Sequence, residues 1–285
     1  MTPDLKLFFS KPVVKKSMFA LLAALGIYIL MVVLVYAFQD RLQYYPDPRA
    51  YTLKEVGAKD YVDFPVTAPD GLPLKGWYAP RQGKKPVLVV FHGNASTYHW
   101  RAADFEKINA YGYGVLLVGY RGYGGNPGKP SEKDFYDDGQ AYLQALKKSE
   151  SLYDRDLVLY GESLGTGVAI EMARRFPKIR AIILENPYTS MVALARHHYP
   201  FMPFANRFVK NRYDNIAKIT ELGRIPKLFL IAGADTIVPP AFGEALFQAA
   251  ALPKKLKTYE NAGHIDIRQQ GGLEDTRAFL GQFEN

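Results

Sequence analysis

From Ser17 to Gln39 the chain runs without one charged side chain. As a helix this stretch reaches roughly 34 Å at ~1.5 Å per residue, enough to cross the hydrocarbon layer of a bilayer. It is apolar on every side, so packing one face onto a soluble core does not account for it. Further on the pattern shortens. Residues 61–67 alternate sides, Asp70 and Gly71 supply a turn, and residues 72–78 return, which predicts an antiparallel hairpin. Short apolar runs at 87–91, 115–118, 157–160, 181–184, 228–231 and 256–259 then alternate with stretches of helical period such as 133–148 and 164–175. Continuous apolar strands separated by helices predict an α/β domain, its sheet mostly parallel and covered on both faces. The organisation read from the pattern is a short basic segment (1–16), an apolar helix (17–39) and one domain (40–285) with an insertion at about 187–226.

Composition narrows the class. Over 285 residues, 48% apolar and 22% charged, the chain can bury one sizeable core. Half of the net charge of +8 falls within residues 1–54, the remainder of the chain being only mildly basic. With no helix-turn-helix, zinc-finger or RNA-binding signature there, no nucleic-acid partner is expected. The absence of cysteine excludes disulfides, thiol catalysis and thiolate-bound zinc. Lys15 and Lys16 stand at the entry of the apolar helix, with two further lysines before them, while Arg41, Arg49 and Lys54 follow it. The positive-inside rule then predicts a single-pass anchor with a cytoplasmic N-terminus. That puts the domain on the far side: periplasmic, extracellular or lumenal. The competing reading is a cleaved signal peptide, with Val35-Tyr36-Ala37 as a loose cleavage site.

Candidate chemistry lies at the strand ends, where open α/β sheets bind ligands. After the run 157–160 comes Gly161-Glu162-Ser163-Leu164-Gly165, then a helix-forming stretch. Strand, G-x-S-x-G and helix together make a sharp turn that lifts a serine above the sheet, where small flanking residues avoid backbone collisions. Serine needs a base, and the base needs an acceptor that fixes its tautomer. His264 follows the last apolar strand in Asn261-Ala262-Gly263-His264, which suits the base; a plain surface histidine is the competing reading. Asp235 ends the run Leu228 to Ala234 and suits the acceptor, although an aspartate there also suits the N-cap of a helix at 239–250. Asp214 and Asp266 are the substitutes. An oxyanion requires two N–H donors, expected from Asn94 in the turn His92-Gly93-Asn94 and from Leu164 behind the serine. His92 is read as holding that turn by hydrogen bonding.

The loop from Gly122 to Gly128 lacks the Lys-Ser/Thr of a phosphate-binding loop and opens no helix, so no nucleotide is assigned to it. Neither metal nor organic cofactor is expected. In the insertion, Tyr188, Met191, Leu194, Tyr199, Phe201, Met202, Phe204 and Phe208 fit either an acyl pocket under a cap or simple packing of that cap.

The sequence resembles the α/β-hydrolase superfamily, specifically its single-pass membrane-anchored serine hydrolases of serine-aminopeptidase-like or depalmitoylase-like type. The resemblance rests on Phe91-His92-Gly93-Asn94-Ala95, Tyr120-Arg121-Gly122-Tyr123-Gly124, Gly128-Lys129-Pro130-Ser131-Glu132, the serine turn, Asp235 with Ile237-Val238-Pro239, and Gly263-His264, and runs from about Tyr44 to the C-terminus. Asn126 departs from it, since such relatives usually carry serine there. The resemblance implies the α/β-hydrolase fold with a small cap, and Ser163, Asp235 and His264 as nucleophile, acid and base. It also implies hydrolysis of a small or lipid-like ester or thioester through an acyl-enzyme. Peptidase or acyltransferase action is open to the same residues, and a silent, membrane-tethered binding module is the rival from another class. The oligomeric state is left open.

Overall fold

The computed structural model describes residues 12–201 and 205–284. Residues 1–11 of the basic segment, and Met202 and Phe204 of the insertion, lie outside the described residues. The first helix, α1 (Pro12–Gln43), is the one among them long and apolar enough to cross a membrane. Its most apolar 18-residue window has a mean hydropathy of 2.8, and none of that window is buried. The helix overruns the uncharged stretch at both ends because charge limits hydropathy and not helicity. Pro12 suits a first turn, where its missing N–H costs nothing.

After α1 the chain runs extended to α2 (Leu53–Val56), then enters an eight-stranded sheet. The strands are β1 (Val62–Thr67), β2 (Pro73–Ala79), β3 (Val87–Phe91), β4 (Gly114–Val118), β5 (Leu157–Glu162), β6 (Ala181–Glu185), β7 (Lys227–Ala232) and β8 (Lys254–Tyr259), in the order β1-β2-β4-β3-β5-β6-β7-β8. β1–β2 and β2–β4 are antiparallel and every other pairing is parallel. Every residue of β3 through β7 is buried, which is why those segments read as unbroken apolar runs. β8 closes one edge with alternating exposure and three lysines, Lys254, Lys255 and Lys257, a composition that discourages further strand addition.

The remaining α-helices are α3 (Ala102–Asn109), α4 (Glu132–Ser149), α5 (Leu164–Arg175), α6 (Met191–His198), α7 (Ala205–Phe208), α8 (Asn215–Ile219), α9 (Pro240–Ala249) and α10 (Gly272–Leu280). On one face of the sheet α4, α5 and α9 bury Phe135, Leu143, Val168, Ile170 and Leu246. On the other, α3 and α10 bury Phe105, Ile108, Leu273 and Phe279. The mostly parallel sheet covered on both faces is the one expected from the pattern, and the fold is the α/β-hydrolase fold that the resemblance implies.

The insertion between β6 and β7 carries α6, α7 and α8, and its aromatic residues divide. Tyr188 and Tyr213 are core residues, whereas Tyr199 and Phe201 are exposed. The segment between α7 and α8 also receives the end of α1. Gln39 donates to the Phe208 carbonyl (3.0 Å) and accepts from the Lys210 N–H (2.7 Å), and Asn211 Nδ2 donates to Asp40 (2.8 Å).

Candidate active site

β5 is buried to its last residue and breaks at Ser163, whose φ of 50° and ψ of −115° are sparsely populated by non-glycine residues. Two glycines make the break possible. A Cβ on Gly161 would lie 2.6 Å from the Gly165 carbonyl oxygen, and one on Gly165 would lie 2.0 Å from that of Phe91. The Ser163 N–H donates to the Glu185 carbonyl (2.8 Å), which ties the turn to the end of β6. α5 starts at Leu164, so its first N–H groups face the same edge.

Ser163, His264 and Asp235 come together from three strand ends. Ser163 Oγ is 3.0 Å from His264 Nε2, and His264 Nδ1 is 2.6 Å from Asp235 Oδ2. The Asp235 carboxylate is fully buried. Its other oxygen accepts from the N–H groups of Ile237 (2.8 Å) and Val238 (2.9 Å). It therefore closes the turn before α9 without capping the helix, whose first residue is Pro240. A carboxylate accepts only, so Nδ1 of His264 donates to it and Nε2 presents its lone pair to the serine hydroxyl. The backbone of His264 is fixed by Asn186 Nδ2, which donates to its carbonyl (2.8 Å). Asp266 serves the same turn by accepting from the Gly263 N–H (2.8 Å), and Asp214 precedes α8. Neither substitute is the partner of His264.

The turn after β3 lies against the serine, since a Cβ on Gly93 would be 3.4 Å from Cβ of Ser163. His92 beside it is wholly buried and pairs through Nδ1 with the Gly93 carbonyl (2.8 Å). Burial lowers its pKa to about 4, so the ring is neutral and holds the turn. Asn94 follows, its side chain bonded to the chain leaving α1. Ile237 and Ile265, each within two residues of a site residue, are exposed. Among the described residues no group of three His, Cys, Asp or Glu side chains is arranged to hold a metal ion.

The sequence reading passed over a buried charge cluster beneath the serine. Glu162, in the free position of the G-x-S-x-G motif, receives Arg101 through both carboxylate oxygens (2.6 and 2.7 Å) and has Arg268 at 3.4 Å. Burial pushes the Glu162 carboxyl up, but the two guanidinium groups outweigh it and hold the group well below the ordinary carboxylate range. Arg268 also pairs with Asp104 (3.0 Å) and with Glu185, which accepts the Tyr160 hydroxyl. Burial raises Glu185, with the nearby Glu162 charge adding to it against Arg268. A signal existed: Glu162 and Glu185 are charges at the carboxyl ends of apolar strands.

Comparison with known proteins agrees with this architecture. A family described as serine aminopeptidase, S33, matches residues 82–217. The uncharacterised protein Rv2307c of Mycobacterium tuberculosis is 34% identical over 259 residues, covering 88% of this chain and 90% of its own. The alpha/beta hydrolase domain-containing protein WAV2 of Arabidopsis thaliana is 28% identical over 271 residues, covering 87% and 88%. Among solved structures, an acetyl xylan esterase from Paenibacillus sp. R4 superposes with a TM-score of 0.66 at 18% identity, covering 84% of this chain and 97% of that one.

Proposed function

This chain belongs to the α/β-hydrolase superfamily, and we propose that it is a membrane-anchored serine hydrolase cleaving acyl esters or thioesters through an acyl-enzyme on Ser163. The observation that carries the reading is the continuous line Ser163 Oγ, His264, Asp235 at 3.0 and 2.6 Å. In the proposed reaction His264 Nε2 takes the Ser163 proton as Oγ attacks the acyl carbon, and Asp235 fixes the ring and stabilises its charged form. The N–H groups of Leu164 and Asn94 receive the oxyanion. His264 returns the proton to the departing alcohol or thiol. A water activated by the same nitrogen then hydrolyses the acyl-enzyme, releasing the acid and restoring Ser163. The exposed Ile237 and Ile265, close in sequence to the site residues, favour an acyl substrate. α1 is proposed as the anchor, with its N-terminus in the cytoplasm and the domain on the far side.

The test is labelling of the detergent-solubilised full chain by a fluorophosphonate probe, alongside turnover of p-nitrophenyl esters of graded acyl length. Ser163→Ala abolishes labelling and lowers turnover by about 10⁶ while melting near wild type. Persistent labelling of the folded variant overturns the assignment. The match to a serine aminopeptidase family favours a second reading, amide cleavage. Turnover of aminoacyl amides without turnover of acyl esters or thioesters selects it.

A further inference from the structure

The side chain of Asn94 makes three hydrogen bonds, and two of the three partners are backbone atoms of the segment leaving α1. Nδ2 donates to the Gln43 carbonyl (2.7 Å), while Oδ1 accepts from the Tyr45 N–H (2.9 Å) and from the Tyr123 hydroxyl (2.7 Å). The same segment is fixed on either side. The Tyr44 ring is buried against Phe135 with its hydroxyl 3.0 Å from that of Tyr213, Gln43 Nε2 donates to the Asn211 carbonyl (3.1 Å), and the Gly124 N–H donates to the Asp47 carbonyl (2.8 Å). Residues 43–47 thus form a strap wedged between the turn after β3, the loop after β4 and the segment between α7 and α8.

The turn that the strap grips is one that needs holding. Ala95, next to Asn94, has a φ of 51°, a left-handed conformation that strains a non-glycine residue and persists only where surroundings impose it. Asn94 is also the residue whose backbone N–H the proposed reaction uses. Such a donor works through pre-set direction: removal of one costs about 10²–10³ in kcat elsewhere, and a donor left to wander forfeits part of that.

We infer that the strap Gln43–Tyr45 is a positioning element of the active site, aiming the Asn94 N–H at the oxyanion through the Asn94 side chain. The catalytic turn is thereby tied to the end of α1, and displacing the strap weakens acyl transfer without unfolding the domain. This rests on the serine-hydrolase reading above. It assigns a role to Gln43 and Tyr45 through their backbone atoms.

The experiment uses the full chain in detergent micelles, comparing wild type with Tyr45→Pro, which deletes the N–H donated to Asn94, with Asn94→Ala, which keeps its own N–H but releases the strap, and with both together. Each single variant is expected to lower kcat about 10–100-fold with KM within about twofold, an unshifted pH–rate profile, and an equal loss of affinity for a boronic acid that forms a tetrahedral adduct. The double variant should be no worse than Asn94→Ala alone, because that substitution already removes the acceptor of the Tyr45 N–H. Should Tyr45→Pro fail to fold, Asn94→Ala decides by the same split between kcat and KM. Unchanged kcat and boronate affinity in folded variants, or losses that multiply in the double variant, overturn the inference. A wild-type chain that neither labels with fluorophosphonate nor turns over ester refutes the serine-hydrolase reading instead, so the two failures are distinct.

Discussion

Arg101 grips both carboxylate oxygens of Glu162, one residue ahead of Ser163, with the Glu162 side chain buried and that of Arg101 nearly so. Breaking such a pair from one side leaves an uncompensated buried charge, which typically costs 3–5 kcal/mol, far more than the pair itself is worth over an apolar replacement. Glu162→Gln is therefore expected to destabilise the domain by about 3 kcal/mol and to loosen the serine turn. Denaturant unfolding measures it. A Glu162→Gln chain as stable as wild type would show that Glu185 takes over the charge balance.

Asp235→Asn separates orientation from folding. The asparagine keeps an oxygen for the Ile237 and Val238 N–H groups but turns an N–H₂ towards His264, which then carries its proton on the wrong nitrogen. kcat should fall by about 10⁴, the scale of the same exchange in a serine protease, with a melting temperature near wild type. Near-normal turnover removes Asp235 from the reaction.

His92 predicts a pH dependence of stability. Its pKa in the fold is lowered to about 4 by burial, against an unfolded value near 6.5. Between those values the unfolded chain binds the proton and the folded chain does not. The contribution is thus intact above about pH 6.5 and is lost as pH falls through 4, amounting to about 3 kcal/mol. His92→Gln should flatten the decline of unfolding free energy over that window relative to wild type. Parallel pH curves for the two proteins would contradict it.

Asn126 stands where serine was expected, and its position explains the amide. β2 pairs with β4 only from Trp77 to Ala79. Beyond that point Asn126 substitutes for the missing strand, accepting from the Lys75 N–H (2.8 Å) and donating to the Lys75 carbonyl (2.9 Å). Serine is too short to make both bonds. Asn126→Ser should lower stability by about 1–2 kcal/mol and leave ester turnover within a factor of two. A large loss of turnover at unchanged stability would give the residue a different role.

The legible parts of this protein are those with a local signature. The strands β3 to β7 could be read because burial on both faces demands apolar sequence, although β5 runs on past its apolar run through Gly161 and Glu162, and β8 starts two residues before its run because Lys254 and Lys255 open an edge strand. Ser163, Asp235 and His264 could be located one by one, each sitting just past an apolar run, and the structure brings them within hydrogen-bonding distance. Arg101, Glu162, Glu185 and Arg268 were not legible as a group, because only the tertiary fold joins them. The strap was still less so. Its contacts use the carbonyl of Gln43 and the N–H of Tyr45, atoms that every residue but proline possesses, so no composition announces them. The aromatic residues of the insertion left two readings open, and the fold divides them between core and surface.

The last helical residue of α1 is Gln43, and Tyr44 is already buried in the domain. No slack chain separates stalk from body. A hydrolase hung on a long tether sweeps a hemisphere above its anchoring point and samples substrates at any height within reach. This one, if its stalk stands in a bilayer, is held like a lamp on a rigid post: the mouth of its site rides at one altitude and one tilt. Under the proposed anchoring, the height of a scissile bond above the surface becomes the first sieve a substrate meets, ahead of shape.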